Sequence, residues 1–92
     1  MGLMNYRFSA AKNARLKFER GVSFEDAIYA IENDRVLDVT SHHSKQYRHQ
    51  EIYIVDIDGY AYVVPFVREK DGVFLKTMFA SRDMTKRYLK KE

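Results

Sequence analysis

The basic side chains of this sequence are concentrated in two short segments. Between residues 7 and 20, five basic side chains face one acidic side chain, Glu19, and the segment from 25 to 38 is acidic. Residues 82–92 carry five basic and two acidic side chains, which accounts for the whole net charge of +3. Basic segments on a small domain favour a polyanionic partner, because binding releases counterions. The alternative is that they solvate exposed faces. The basic residues concerned are Arg7, Lys12, Arg15, Lys17, Arg20, Arg82, Lys86, Arg87, Lys90 and Lys91.

Three histidines, His42, His43 and His49, lie in one polar stretch. An imidazole can transfer protons near neutral pH. A zinc site is the alternative, but no pair has the helical i, i+4 spacing and no cysteine assists, so we interpret the stretch as a polar loop and predict no metal. The sequence contains no Gly-rich phosphate loop, nucleophile elbow or paired-carboxylate motif, which argues against nucleotide hydrolysis and acyl transfer. No cofactor is predicted.

The size and composition of the chain limit the classes of protein that remain. Ninety-two residues are enough for one domain, 1–92, and too few for a second core. The absence of cysteine excludes disulfide scaffolds, Cys-ligated zinc, iron–sulfur clusters and thiol catalysis. A secreted domain of this size usually needs disulfides, so we expect the cytoplasm. The N-terminus has no apolar signal region and no apolar run approaches 18 residues, so no membrane association is expected.

Two helices are predicted near the N-terminus, after a short edge strand at residues 6–8. Ser9 is a suitable N-cap for a helix over 10–20, which Gly21 ends. In this helix we expect an apolar stripe of Ala11, Ala14 and Phe18. Ser23 and Asp26 have the spacing of a capping box for a second helix over 24–33, with Val22 and Ala27 as a hydrophobic staple. The apolar residues Phe24, Ala27, Ile28 and Ile31 share one face of that helix.

After residue 35 the hydrophobic period changes from 3.6 to 2, which predicts strands. We expect strands over 36–39, 51–57, 60–67 and 73–80, a polar loop over 40–50, and a type I′ turn at Asp58–Gly59. Pro65 indicates that its strand lies at an edge or is bulged at that point. A basic helix follows from Asp83, with Met84, Tyr88 and Leu89 on its apolar side.

The element order predicts an α+β fold in which the two N-terminal helices pack on a mostly antiparallel four-stranded sheet. The last strands are apolar on both faces, so the second face is covered by the C-terminal helix or by a partner. Aromatic residues on the strands could stack bases, but strand aromatics are more often core residues. Those considered are Tyr53, Tyr60, Tyr62 and Phe66.

Two stretches of the chain resemble the BrnT family, the toxins of a type II toxin–antitoxin system. Residues 8–27 read FSAAKNARLKFERGVSFEDA and are similar to the family's helix with Lys and Asn, its His-Gly-Val-Ser-Phe corner and its acidic second helix. Residues 79–82 (FASR) and 85–88 (TKRY) are similar to the family's strand ending Ile-Ser-Ala-Arg and the basic helix after it. The sequence departs from the family at Ser9-Ala10, where Trp-Asp is usual, at Arg20, where His is common, and near Arg87 and Tyr88, where Glu is usual.

The resemblance implies a RelE-like fold and a ribonuclease activity that arrests translation without a metal. It also implies an antitoxin, encoded by an adjacent gene, with a ribbon-helix-helix part. Operator DNA would be bound only through the toxin–antitoxin complex.

A metal-free ribonuclease takes a proton from the 2′-OH, stabilises a dianionic phosphorane and protonates the 5′ leaving oxygen. We expect Arg82 to hold the scissile phosphate, since it follows the last strand and matches the family arginine. Lys12 matches the family lysine, and Arg48 or His49 occupies the place of a further family arginine. Proton transfer is expected of His49 or Tyr88. The predicted RNA contacts are Arg15, Lys86 and Arg87.

Structural roles are the alternatives at these positions. Arg82 could form an ion pair with the acidic helix, Lys12 could solvate its helix, and Tyr88 could be a core anchor with a satisfied hydroxyl. At the level of the whole chain, the alternative is a binding module without catalytic activity, or a degenerate toxin that only docks a partner.

Overall fold

The computed structural model describes residues 4–41 and 50–90. They form three helices and six strands. The elements in chain order are β1 (Asn5–Arg7), α1 (Ala10–Arg20), α2 (Phe24–Glu32), β2 (Val36–Ser41), β3 (Gln50–Ile57), β4 (Tyr60–Glu69), β5 (Gly72–Leu75), β6 (Phe79–Ala80) and α3 (Arg82–Tyr88). The fold is α+β, as predicted.

The strands form one sheet in the order β1-β5-β4-β3-β2, and β6 also pairs with β4. All pairings are antiparallel except that of β1 with β5, which is parallel. β1 is thus the predicted short edge strand. It lies so close to β5 that a Cβ atom on Gly72 would overlap the backbone of Asn5. The predicted last strand, 73–80, is divided into β5 and β6.

Of the two alternatives predicted for β4 at Pro65, an edge strand or a bulge, the edge strand is wrong. β4 is central, because β3 pairs with its residues 60–67 on one side and β5 and β6 pair with it on the other. Proline is tolerated because residues 76–78 interrupt the neighbouring strand opposite it. The carbonyl of Pro65 still accepts a hydrogen bond from the Lys76 amide at 2.8 Å. The missing N–H of proline therefore falls where the regular ladder is broken.

The local signals at the helix ends are confirmed. Ser9 caps α1, and Gly21 ends it in the left-handed conformation, at φ 72°. Ser23 and Asp26 form the predicted capping box of α2. Asp58 and Gly59 have positive φ values of 54° and 82°, as a type I′ turn requires. α2 ends at Glu32, one residue earlier than predicted, with Asn33 as its C-cap.

The predicted apolar stripe of α1 is wrong. Ala11 and Ala14 are exposed, and Phe18 is 91% exposed. The buried residues of the helix are instead Asn13 and Leu16. The side-chain amide of Asn13 accepts a 2.7 Å hydrogen bond from the Phe24 amide and donates a 2.8 Å bond to Glu25. The helix therefore turns its Asn13 side toward α2, and its most hydrophobic side chain faces solvent.

The core lies between α1, α2 and one face of the sheet. Val22 and Ala27, the predicted staple pair, both belong to it. Tyr53 and Phe66 stack in it with ring centroids 4.1 Å apart, so these two strand aromatics are core residues. The largest fully buried apolar side chains are Phe24, Val55, Val64, Phe66, Val73, Leu75 and Met78.

The opposite face of the sheet is partly covered by α3. Alternate strand residues point to opposite faces, so Ile52, Ile54 and Val63 lie on the face away from α1 and α2. These residues line a groove together with residues of α3. This face was predicted to be covered by the C-terminal helix or by a partner, and in the structure the C-terminal helix α3 covers part of it.

Three residues of the predicted polar loop lie in strands. Thr40 and Ser41 belong to β2 and Gln50 belongs to β3. The remainder of the predicted loop, with its three histidines, lies outside the described residues. Among the residues that are described, no helix has the length and apolar character needed to cross a membrane.

Candidate functional site

A groove between α1 and the chain segment that connects β5 to β6 gathers basic side chains. It has a volume of about 380 Å³. We call it the basic groove. The α1 residues that line it lie on one side of the helix. Opposite them lie residues 77–79, the last of which belongs to β6. The lining residues are Lys12, Arg15, Leu16, Glu19, Arg20, Thr77, Met78 and Phe79.

The orientation of α1 explains why these cations face the groove. Asn13 and Leu16 are the buried positions, so the neighbouring positions 12, 15 and 19 flank the buried side. The Lys12 ammonium donates a 3.1 Å hydrogen bond to the carbonyl of Lys76. An ammonium has three donors, so two remain available to a ligand. The contact keeps the charge of Lys12 at the edge of the groove.

Arg82 is the first residue of α3 and directly follows β6 and the N-cap Ser81. Its side chain is exposed. Arg82 does not form the ion pair with the acidic helix α2 that was its alternative role, since no salt bridge within residues 4–41 and 50–90 involves it. The two helices pack on opposite faces of the sheet. Arg82 is therefore placed by the strand that precedes it.

Thr85 fixes α3 against the sheet. It is 1% exposed, and its hydroxyl donates to the carbonyl of Ser81 at 2.7 Å and accepts from the amide of Ala61 at 2.9 Å. The Ser81 amide also donates to the carbonyl of Ala61 at 2.9 Å. Both backbone groups of Ala61 are thus bonded to the start of the C-terminal helix. Met84, Tyr88 and Leu89, the predicted apolar side, are only half-buried.

A second groove, which we call the α3 groove, lies between α3 and β2, β3 and β4. Its volume is about 400 Å³. The Tyr88 hydroxyl donates a 2.6 Å hydrogen bond to the Asp38 carboxylate, which raises the pKa of Tyr88. A phenol held in this way is a weaker acid than a free one. The remaining lining residues are Thr40, Ile52, Ile54, Val63, Ser81, Asp83, Met84 and Arg87.

The predicted site residues fall into three groups. Lys12 and Arg15 lie together in the basic groove, and Arg87 and Tyr88 lie together in the α3 groove. Arg82 and Lys86 form the third group, and both are exposed on α3. Arg48 and His49 lie outside the described residues.

Three residues that matter for this arrangement could not be identified from the sequence as such. Asn13 fixes α1 to α2, Thr85 fixes α3 to β4, and Phe79 lines the basic groove while 42% exposed. The spacing of Asn13 and Leu16 is a helical i, i+3 signal. The stripe of Ala11, Ala14 and Phe18 has helical spacing too and is apolar throughout, so hydrophobic periodicity favoured it over the side with Asn13 and Leu16.

His42, His43 and His49, the histidines weighed as zinc ligands, are outside the described residues. Across the described part of the chain, no group of three or more His, Cys, Asp or Glu side chains is arranged to hold a metal ion.

Neither a protein-family model nor any curated protein sequence gives a significant match to this chain. The resemblance to the BrnT family therefore rests on the motifs at the two ends of the chain.

Proposed function

We propose that this protein is a metal-independent endoribonuclease of the cytoplasm, the toxin of a type II toxin–antitoxin system. Its substrate in this proposal is RNA, and its cleavage arrests translation. Its partner is a ribbon-helix-helix antitoxin encoded by an adjacent gene, and operator DNA is bound only through their complex. The proposal starts from the BrnT-like motifs in residues 8–27 and 79–88.

The observation that carries the proposal is the position of the two predicted phosphate-binding cations. Lys12 lies far from Arg82 in the sequence, yet its ammonium contacts Lys76, and Arg82 stands six residues after Lys76. Six residues span at most about 20 Å of extended chain. Both cations therefore border one short chain segment, residues 76–82, and the proposal places the RNA strand along this segment.

The residues have distinct roles in the proposed reaction. Arg82 holds the scissile phosphate and stabilises the negative charge of the phosphorane, and Lys12 and Arg48 assist. Of the two groups predicted to transfer protons, we retain His49, because the Tyr88 hydroxyl is engaged by Asp38 and has a raised pKa. His49 takes the proton of the 2′-OH as the 2′-oxygen attacks phosphorus, and the protonated His49 returns a proton to the 5′ oxygen as the bond from phosphorus to that oxygen breaks.

The first experiment is to induce the chain alone in a bacterial host while growth and total RNA integrity are followed. We expect growth arrest with RNA fragmentation, relieved by the product of the neighbouring gene. The purified protein should cleave RNA in the presence of EDTA. Normal growth and intact RNA, with demonstrably folded protein, would contradict the proposal.

The Arg82→Ala variant tests the proposal that Arg82 holds the scissile phosphate. We expect loss of cleavage by about a hundredfold or more, since removing one donor to a developing oxyanion typically costs that much. Because Arg82 is exposed, the melting temperature should stay close to that of the wild type. Lys70→Ala, which removes an exposed positive charge from the β4–β5 turn, is the matched control. A fully active Arg82→Ala protein would remove this residue from the mechanism.

The α3 groove favours a second candidate function, a binding module without catalytic activity. Ile52 and Val63 remain half-buried in this groove, and the Tyr88 hydroxyl is occupied. Such a surface suits a docked protein segment. Intact RNA together with stable binding of the neighbouring gene product would favour this candidate.

A further inference from the structure

The side of α1 that faces away from the core carries an apolar stripe. Ala11, Ala14 and Phe18 have the i, i+3, i+7 spacing of one helical side, and all three are exposed. Phe18 is 91% exposed, whereas the other exposed large apolar side chains of the described residues are between 36% and 63% exposed. Single apolar side chains are common on protein surfaces, but this ring continues a stripe of three residues on one helix.

The stripe lies opposite the buried side of the helix. Asn13 and Leu16 are the buried residues of α1, and with 3.6 residues per turn they lie about 160° around the helix from the centre of the stripe. The hydrogen bonds from Asn13 to Glu25 and from the Phe24 amide to Asn13 hold α1 in this orientation. The packing of α1 therefore presents the stripe to solvent.

Cations lie along both borders of the stripe. Arg15 is four residues from Ala11 and three residues from Phe18, so it borders the stripe on one side. Lys17 is three residues from Ala14 and borders the stripe on the other side. The salt bridge of Lys17 to α2 is 3.8 Å long between side chains that are each 58% exposed, so it leaves most of this charge available to a partner.

These charges indicate the kind of partner. α1 carries four basic side chains and one acidic side chain, so the stripe of a second copy of this chain would bring like charges together. An RNA base gains little from the stripe, because two of its three residues are alanines and offer no ring for stacking. The surface fits an amphipathic helix whose own apolar stripe is bordered by Asp and Glu side chains.

We propose that the apolar stripe of α1 docks an acidic amphipathic helix of the antitoxin, with Phe18 as the aromatic anchor and Arg15 and Lys17 paired with carboxylates. The assignment rests on the proposed function, which supplies the identity of the partner. The small side chains of Ala11 and Ala14 let a second helix approach closely, since the distance between packed helices depends on the side chains at the contact. A large aromatic residue beside them is a typical anchor of a protein interface.

Docking at this stripe also affects the basic groove, because Arg15 belongs to both surfaces. It lines the basic groove and borders the apolar stripe. A carboxylate of the partner that pairs with Arg15 withdraws this cation from RNA. The antitoxin and RNA therefore compete for the chain, which gives neutralisation a physical basis.

The test is calorimetric titration of the full chain with the purified product of the neighbouring gene. Phe18→Ser removes the ring at a position that is 91% exposed, so the melting temperature should stay close to that of the wild type. We expect this variant to bind about 30-fold more weakly or worse, the loss typical of an aromatic anchor. Lys17→Glu should also weaken binding, by a factor that grows as the salt concentration is lowered.

Tyr29→Ser is the matched control, since it removes another exposed aromatic ring, 63% exposed, from the helix α2. We expect its affinity for the neighbouring gene product to equal that of the wild type. Phe18→Ser should cleave RNA as fast as the wild type, because Phe18 takes no part in the proposed reaction. Its cleavage should continue at antitoxin concentrations that inhibit the wild type.

The outcomes separate this inference from the proposed function. Equal antitoxin binding by wild type and Phe18→Ser, in a chain that cleaves RNA, would overturn the docking surface alone. Phe18-dependent binding by a chain that never cleaves RNA would overturn the ribonuclease proposal alone. A loss of RNA binding in Phe18→Ser with unchanged antitoxin binding would show that RNA occupies the stripe. No binding of the neighbouring gene product by the folded wild type would overturn both the partner and its docking surface.

Discussion

Tyr88 shows how one hydrogen bond changes the role assigned to a residue. Its position on a basic helix made it a candidate for proton transfer. In the structure its hydroxyl donates to Asp38, whose other carboxylate oxygen accepts from the Val39 amide at 2.8 Å. The bond ties α3 to β2 across the sheet and raises the pKa of the phenol. The geometry therefore favours a structural role for Tyr88.

We predict that Tyr88→Phe retains RNA cleavage within about twofold of the wild type, because the hydroxyl is occupied by Asp38 and does no proton transfer. The melting temperature should fall slightly, since α3 loses its bond to β2. Cleavage assays and thermal unfolding on the same protein check both parts. Tyr29→Phe, at a position 63% exposed on α2, is the control. Loss of cleavage in a folded Tyr88→Phe protein would return proton transfer to this residue.

At the scale of elements, the two helices that carry the candidate cations are attached through polar residues. α1 is fixed through Asn13 and α3 through Thr85, and both side chains are buried with their hydrogen bonds satisfied. Within the described residues, every buried side-chain nitrogen and oxygen has a partner. Hydrogen bonds have direction, so these contacts fix the rotation of each helix. Through that rotation they place Lys12 and Arg82.

We predict that Thr85→Val destabilises the protein by about 1–3 kcal/mol. The change preserves the shape of the side chain but leaves the buried amide of Ala61 without an acceptor. Thr85→Ser keeps the hydroxyl and should cost clearly less. Denaturant unfolding of the three proteins checks the order of stability. A Val variant as stable as the Ser variant would show that the hydroxyl does not anchor α3.

The elements also show how far local sequence signals reach. The bounds of α1, the capping box of α2 and the Asp58–Gly59 turn depend on neighbouring residues, and they were predicted correctly. The buried side of α1 was not, because it depends on the amide of Phe24 eleven residues further along. Hydrophobic periodicity detects apolar contacts, and this helix is docked partly by an amide. The edge position expected for the strand at Pro65 was wrong for a similar reason, since strand order is a property of the whole sheet.

At the scale of the molecule, the carboxylates of Glu25 and Glu69 join different elements of the fold. Arg7 on β1 forms a bidentate pair with Glu69 on β4, at 2.9 and 3.0 Å. Glu25 on α2 accepts from Asn13 on α1. The hydrogen bonds from Asn13 and Arg7 lower the pKa of Glu25 and of Glu69 respectively. Ionisation of both carboxyls is therefore linked to folding.

We predict that stability falls in acid because of these two carboxyls. A lowered pKa in the folded state gives stability that is fully present above the ordinary pKa of 4.5 and is lost as the pH falls through the lowered folded value. The melting temperature should thus decline below about pH 5. Thermal unfolding from neutral pH to about pH 3 measures this. The double variant Glu25→Gln/Glu69→Gln should show a shallower decline, and a decline of the same steepness would exclude these groups as its cause.

The sequence by itself determined the helices, the hairpins, the α+β class and the two basic segments. Capping, turn conformation and alternation act over a few residues, so they are encoded locally. Only the tertiary structure decided which side of α1 is buried and that Lys12 contacts the strand segment leading to Arg82. The first depends on a hydrogen bond between residues eleven positions apart and the second on one between residues sixty-four positions apart. Both exist only once the helices are packed on the sheet and the hydrogen bonds of Asn13 and Thr85 fix their rotation.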